Sequence, residues 1–459
     1  MQDSFSTVII YNMEVPMRNS TRWLVSFVMV LTLTAGLVAQ GTSAQNAVQK
    51  QQQTLEGGLG VTVIDGNVFY LFTMTPEFAF GNFGLGIDLN LRFNTKGQIR
   101  PGDYVHFSDY LRIIRYARWG EKGDPFYIRV GALDYARLGH GFIVYNYRNS
   151  ASYDLRKTGV ELDADFDKYG FESVYSDVTA SSLLGLRGYV RPLRLTPAAK
   201  IPIINGFELG ATYATDLGKN SNVTFGTVGG SPTTALASAN SGSAMAEYGL
   251  DAGLPWLSFP SIKSTLYGDY AKIKGYGNGA AVGIDFHFSG MGLLTIGAKY
   301  ERRWSGDQFI PSYFDALYEH DRYFLTDTAD FVSKAAALQY ATKSQGYYGE
   351  LLISILNTFN IVGGYQAPVG VKNQGIFHAE LQTPAVIPEI VVDGGFDKRN
   401  IGPVFKLDEN SILYAELGYK PIPYMIVSML YQWTFAKLPD GTYATQKRIE
   451  PKVRFVYSF

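Results

Sequence analysis

The chain has 459 residues, a formal net charge of −1 and no cysteine. The even charge balance gives no electrostatic footprint for nucleic acid. The absence of cysteine excludes a disulfide framework, a thiolate metal site and a lipid-modified cysteine anchor. Tyr (32), Phe (29) and Gly (49) are abundant, yet the mean hydropathy is only −0.03. Apolar residues must therefore be spread by alternation rather than gathered in runs.

The single long apolar run is Trp23 to Ala39, preceded by Arg18 and Arg22 and followed by Gly41-Thr42-Ser43-Ala44. A basic start, an apolar middle and a small-residue end read as a secretory signal peptide. Residues 1–44 are assigned to it and to upstream sequence, with Met13 and Met17 as alternative starts. Cleavage after Ala39 and cleavage after Ala44 both fit. Residues 45–53 form a short polar segment, and the first strand is expected near Thr54. That spacing leaves no room for an N-terminal plug domain. No other segment is long and apolar enough to span a bilayer as a helix, so an exported chain of this kind spans with strands or not at all.

From Thr54 onward the sequence repeats one pattern. Leu85, Ile87, Leu89, Leu91 and Phe93 alternate with Gly86, Asp88, Asn90, Arg92 and Asn94. Val160, Leu162 and Ala164 alternate with Glu161, Asp163 and Asp165. Leu184 and Leu186 alternate with Arg187, Tyr189 and Arg191. Ile284 and Phe286 alternate with Asp285 and His287. Ile296, Ala298 and Tyr300 alternate with Lys299, Glu301 and Arg303. Leu413, Ala415, Leu417 and Tyr419 alternate with Tyr414, Glu416 and Lys420. Period two with one apolar and one charged face means strands. Their length, about 9–13 residues, is that of tilted strands crossing a bilayer. Asp109 to Trp119 departs from the pattern, because Arg115 falls on the apolar face. A charge at the bilayer midplane costs about 2–4 kcal/mol, so either an interfacial position or a bulge is required there.

The last stretch, Lys447 to Phe459, reads KRIEPKVRFVYSF. Ile449, Val453, Phe455, Tyr457 and Phe459 share one face, while Arg448, Glu450, Lys452, Arg454 and Ser458 share the other. A terminal strand ending in Phe after alternating aromatic residues resembles the C-terminal signal of bacterial outer-membrane β-barrel proteins, the porin-like superfamily. The resemblance implies a cell outer membrane of Gram-negative type, contact with its lipid, and handling by the barrel assembly machinery through this strand. The implied fold is all-β: a single transmembrane antiparallel up-and-down β-barrel of about 18–20 strands, an even number being required. In such barrels short turns face the periplasm and long loops face outward. Counting back from Phe459, short connections (Gly81-Asn82, Gly120 to Asp124, Asp167 to Gly170, Ser289-Gly290, Asn357-Thr358, Pro421 to Pro423) fall on one side. Long ones fall on the other, chiefly 134–157, 217–245 and 305–345. The second is rich in Gly, Ser, Thr and Asn and is expected to be exposed. The third carries an aromatic and acidic cluster, Phe309 to Glu319, then a helix-prone piece, Ala329 to Ala341. It is expected to fold into the lumen or to cap it.

The resulting reading is a porin-like channel for diffusion of small polar solutes, not an enzyme. The lumen residues expected to matter are Arg112, Arg118, Arg129, Glu161, Asp163, Asp165, Arg187, Arg191, Asp285, Lys299, Glu301, Arg303, Glu350 and Glu416. The loop residues expected to narrow the bore are Tyr313, Phe314, Asp315, Tyr318 and Glu319. The acid run 161–165 and the pair Arg187 and Arg191 mark the expected narrow charged zone. No histidine pair has metal-ligand spacing and no phosphate-cradling glycine loop opens a helix, so no metal, cofactor or catalytic set is assigned. Oligomeric state is left open between monomer and trimer. Two rival readings remain. One is a barrel sealed by its loops, acting as a binding or assembly partner in secretion or surface-polymer export. The other is a transporter of hydrophobic compounds, against which the charged inner faces argue.

Overall fold

The computed structural model describes residues 54–458 apart from 65–66, 102, 106, 150–156, 229–230, 238–242, 291–292, 317, 326–330, 357–358, 370–374, 384–388, 400–410 and 438–442. The expected signal peptide, the 45–53 segment and Phe459 lie outside the described residues. One antiparallel sheet of 22 strand segments dominates, and its first strand, Thr54–Ile64, pairs with its last, Tyr443–Ser458. That pairing closes the sheet into a barrel. Two strands are interrupted. Asn67–Met74 and Glu77–Phe80 form one strand bent at Thr75-Pro76, and Phe83–Ile87 and Leu89–Phe93 form one strand broken at Asp88. Proline lacks the donor that an unbroken ladder needs. Merging these halves leaves twenty strands among the described residues, the upper end of the sequence expectation.

Alternation fixes the two faces. Leu59, Leu250, Val282, Tyr300, Leu351, Leu417 and Phe455 stand on the outer face and are exposed, around the whole circumference. An apolar surface this continuous is not tolerated in water and identifies the lipid-facing belt. Residues between them, such as Arg187, Asp251, Lys299, Glu301 and Glu416, are buried on the inner face. The first strand begins, and the last strand ends, on the rim that carries the short turns; the described residues of 94–113, 132–158, 217–244 and 306–343 connect strands at the other rim. One short-side connection is longer than expected: between Leu183–Val190 and Glu208–Asp216 run three 3-10 turns, Pro192–Leu195, Pro197–Lys200 and Ile204–Gly206.

Two sequence expectations change, and one open alternative is settled. Asp109 to Trp119 is not one strand but a helix, Phe107–Leu111, followed by strand Ile114–Trp119. Arg112 therefore sits in the turn between them, paired with Asp109 at 3.0 Å, and not on a lumen-facing strand. Asp109 supplies the acidic first turn that favours a helix there. The Arg115 conflict is resolved by a bulge: the register runs Gly86↔Tyr116 and then Ile87↔Ile114, which leaves Arg115 as the extra residue. Its guanidinium meets Glu77 at 3.1 Å and Asp134 at 3.6 Å. The 217–244 connection is not simply exposed. It contains a hairpin, Thr224–Val228 with Ser231–Ala237, and Val223 is buried against Val332 and Ala336.

A barrel of this size leaves an open bore unless something fills it. Here two outer connections fold inward and build a hydrophobic core inside the lumen. Leu133, Leu138, Phe142, Val144 and Tyr147 from 132–158 meet Phe309, Tyr313, Phe314, Tyr318 and Leu338 from 306–343. Inward residues of one arc of the wall, among them Val174, Leu183, Ala214, Met245, Ile273 and Ala281, complete it. No described residue of this cluster belongs to strands Ser411–Ile422, Met425–Lys437, Tyr443–Ser458, Thr54–Ile64 or Asn67–Met74, where Leu413 and Ile426 are buried apart from it. The core is one-sided.

Candidate functional site

The inserted loops are stitched to each other before they touch the wall. Tyr145 donates its backbone N–H to Phe314 at 3.1 Å, Phe314 to Ile143 at 3.2 Å and Ser312 to Phe142 at 2.8 Å. The rings of Phe142 and Phe309 lie 5.7 Å apart, and those of Phe314 and Tyr318 4.9 Å apart. Aromatic groups at these spacings add to the burial they already provide. Ion pairs then pin the assembly. Arg322 binds Asp216 through two nitrogens, at 2.6 and 2.5 Å, and the Tyr318 hydroxyl donates to the same carboxylate at 2.6 Å. Lys157 reaches Glu319 at 2.5 Å, and the Tyr147 hydroxyl donates to Glu319 as well. Lys334 holds Asp315 at 3.0 Å. Burial pushes the Tyr147, Tyr313 and Tyr318 phenols well above their ordinary range. Of the expected constriction residues, Tyr313, Phe314 and Tyr318 are thus core, and Asp315 and Glu319 are anchors.

Below this core lies a charged layer. Arg187 is buried among three acids: Asp251 (2.9 and 2.5 Å), Glu208 (2.8 Å) and Glu172 (3.2 Å). Arg191 takes Asp165 through two nitrogens at 2.7 and 2.8 Å, and also Glu208 at 3.0 Å. Glu161 and Asp163 converge on Lys122, at 2.6 and 2.8 Å. Lys122 sits in a short turn; burial works against its charge, but Glu161 and Asp163 more than offset this and raise its pKa. Glu301 lies between Lys299 (2.9 Å) and Arg303 (2.5 Å) and accepts from the Tyr267 hydroxyl at 2.8 Å. Lys299 also donates to the His140 carbonyl at 2.6 Å and lies 3.9 Å from the centre of the Tyr145 ring. Glu350 accepts from the Tyr145 hydroxyl at 2.5 Å. A buried pair recovers its desolvation cost only when each partner is fully engaged; the Arg187 network meets that condition, whereas Asp163 Oδ1 and Arg303 Nη2 are buried without a hydrogen-bond partner among the described residues.

The remaining expected lumen residues are dispersed. Arg118 donates to the Gly120 carbonyl near the short-turn rim. Arg129 binds Asp134 at 3.1 Å and stacks over Tyr116. Glu416 lies on the far arc with Arg454 at 2.5 Å. The expected narrow zone is therefore two separate networks, one around Lys122 and one around Arg187. Sequence reading missed Lys122, Arg137, Tyr145, Glu208 and Asp251. The one signal in the sequence is the pair of glycines flanking His140: Gly139 (φ +54°) and Gly141 (φ +93°) form the sharp tip of the inserted loop.

That tip roofs a cavity of about 630 Å³ on the short-turn side. Arg137, His140, Tyr267, Asp285 and Lys299 line its inner part, and Asp165, Asp167, Arg191, Arg194 and Glu208 its mouth. His140 stacks on Tyr267 with ring centres 4.3 Å apart, and its Nδ1 lies 3.3 Å from Asp269. Gly253 faces the His140 ring, and a Cβ there would come within 2.8 Å of Nε2.

Fold and lining together define a β-barrel of outer-membrane type, greasy outside and charged inside, with its bore partly occupied by its own loops. Comparisons with known proteins add little. No family model matches the chain, and no curated protein matches its sequence. Among solved structures it is similar to CdiB from Acinetobacter baumannii at 7% identity and a TM-score of 0.29, covering 89% of this chain and 60% of that one. It is also similar to the outer membrane protein OpdK from Pseudomonas aeruginosa at 10% identity and a TM-score of 0.31, covering 89% and 98%. With OccK10 (OpdN) of Pseudomonas aeruginosa the values are 10%, 0.32, 89% and 99%. The chain thus spans less than two thirds of CdiB and nearly all of the other two. At such scores the fold assignment rests on the strand ladder itself.

Proposed function

We propose that this protein is a porin-like channel of a Gram-negative outer membrane, passing small polar solutes by diffusion. The observation that carries the reading is the one-sidedness of the internal core. Apolar filling occupies the arc from Tyr169–Tyr175 to Asn278–Gly290, whereas the two strands at the seam, Tyr443–Ser458 and Thr54–Ile64, turn Gly58, Gly60, Thr62, Lys452 and Arg454 inward, with the buried Ile426 opposite Arg454. There Gly58 pairs with Arg454 and Gly60 with Lys452, and Ser428 donates to Glu416 at 2.7 Å. A wall of glycine, serine and ion-paired charge suits water and polar solutes, and it does not suit a hydrophobic cargo.

A second reading has its own observation. The stitched loops make a cohesive core across part of the lumen, as a barrel sealed for a docking role would need. Planar-bilayer recording of the purified full chain separates the two. Steady ohmic conductance, increased on removal of 305–345, is the expected result. Absence of current both before and after that deletion would leave the sealed barrel as the better account.

A further inference from the structure

The cavity beneath the inserted loop lies on the filled arc, away from the arc proposed to conduct, so its role is separate from the bore. Its walls have an uneven supply of partners. Asp165 is held by Arg191, Asp167 by Arg194, Glu208 by Arg187 and Arg191, and Lys299 by Glu301. Two lining charges differ. The Arg137 side chain and the Asp285 carboxylate make no hydrogen bond or ion pair with any described residue. Arg137 contributes its carbonyl, to Lys122 at 3.3 Å, and Asp285, outside the strand ladder, its carbonyl, to the Ser264 hydroxyl. The charges at the mouth are ion-paired, whereas these two opposite heads are not, although Asp285 stands across the ladder from Lys299 and Arg137 is close enough to Glu172 to act on its charge. Arg137 comes from the loop tip and Asp285 from strand Asn278–Gly290 of the wall, so they approach the space from different elements.

We infer that this cavity is a binding site for a small zwitterionic solute, its carboxylate taken by Arg137 and its ammonium by Asp285, entered from the short-turn rim. Guanidinium and carboxylate is the pairing that planar two-point recognition favours. An ammonium against the aspartate gives the second point of contact, and a net-neutral solute suits a lining whose four cations and four carboxylates already balance. The stacked His140 and Tyr267 rings give a flat wall for the carbon skeleton between the two charges. A volume near 630 Å³ fits a small organic solute with some water and lies within the usual range of ligand pockets. A ligand bridging Arg137 and Asp285 would also fasten the loop tip to the wall.

The test uses the purified full-length barrel in detergent and isothermal titration calorimetry. The probes are 4-aminobutyrate and 6-aminohexanoate, with butyrate and butylamine as single-charge controls. At least one amino acid is expected to bind about tenfold or more tightly than either control. Arg137→Gln and Asp285→Asn are each expected to reduce that binding to the control level, while Arg137→Lys retains part of it. Neither substitution strands a buried partner, and retained heat-modifiable mobility on gels establishes that the barrel still folds. Equal binding of butyrate, binding unaffected by both substitutions, or no heat with either amino acid would each overturn the inference. Conductance of the same variants is recorded separately. Unchanged current with lost binding keeps the site distinct from the pore, so failure of one reading is not mistaken for failure of the other.

Discussion

At the residue scale the inner surface is governed by burial of groups that ordinarily seek water. Tyr147 and Tyr318 illustrate how the loops are held. Both hydroxyls donate to carboxylates, Glu319 and Asp216, in fully buried surroundings. A tyrosine freed into water titrates near 10.0, whereas burial keeps these protonated to higher pH. The bound loop therefore holds more protons than the released loop once the pH exceeds about 10. The docking energy is fully present below that point and declines as pH rises above it, by about 1.4 kcal/mol per pH unit for each such group. Limited proteolysis of 306–343 from mildly to strongly alkaline pH should show protection that fails above about 10. A Tyr147→Phe, Tyr318→Phe double variant should move that failure to higher pH. Flat protection across the range would mean that the phenols do not hold the loop. Little of this is legible in sequence. Aromatic content marked the loop as a packing element, but which acid each hydroxyl meets depends on wall strands far away in the chain. Lys122 was invisible for a related reason: a lysine in a short turn reads as solvated until Glu161 and Asp163 are seen beside it.

At the scale of elements, the strands were readable and the loops only partly so. Period-two alternation marks a strand because both its faces have a uniform environment, and it failed only where that uniformity fails. At Arg115 the register slips, and at Thr75-Pro76 the ladder is bent. The loop 306–343 declared itself by its aromatic cluster. The loop 132–158 did not, although its residues share the same core, because its insertion depends on where the wall lacks side chains. Gly279 is such a place: it faces inward on strand Asn278–Gly290, and a Cβ added to it would overlap the Phe309 ring. Gly279→Leu should therefore expel Phe309 and loosen the loop while leaving the barrel closed. Overfilling of this kind costs about 1–3 kcal/mol. The expected readout is a larger single-channel conductance, reversed by adding Phe309→Ala, which restores room. Unchanged conductance in the single variant would place the rate-limiting constriction elsewhere.

For the whole molecule, the parity of long and short connections was sufficient to orient the barrel and to bound its strand number. The reason is geometric: an up-and-down sheet sends every second connection to the same rim. The structure keeps that parity through all twenty described strands, with the 3-10 segment from Pro192 to Gly206 as the long exception on the short side. The outer belt carries its own test. Leu250 lies within strand Met245–Ser258 and is 64% exposed on the outer face. Leu250→Arg should cost about 2–4 kcal/mol when the barrel is refolded into lipid vesicles and unfolded with urea. Leu250→Phe should be near neutral. If arginine were tolerated as well as phenylalanine, the belt would not be in contact with lipid.

Packing one flank of a round tube turns its free cross-section into a crescent. A crescent admits by thickness: a flat molecule slides along the curved slot, while a rounder one of equal mass is held back. Flux through the proposed channel, followed by vesicle swelling, should thus rank planar solutes ahead of globular ones of the same formula weight, an order that a plain cylindrical bore would not produce.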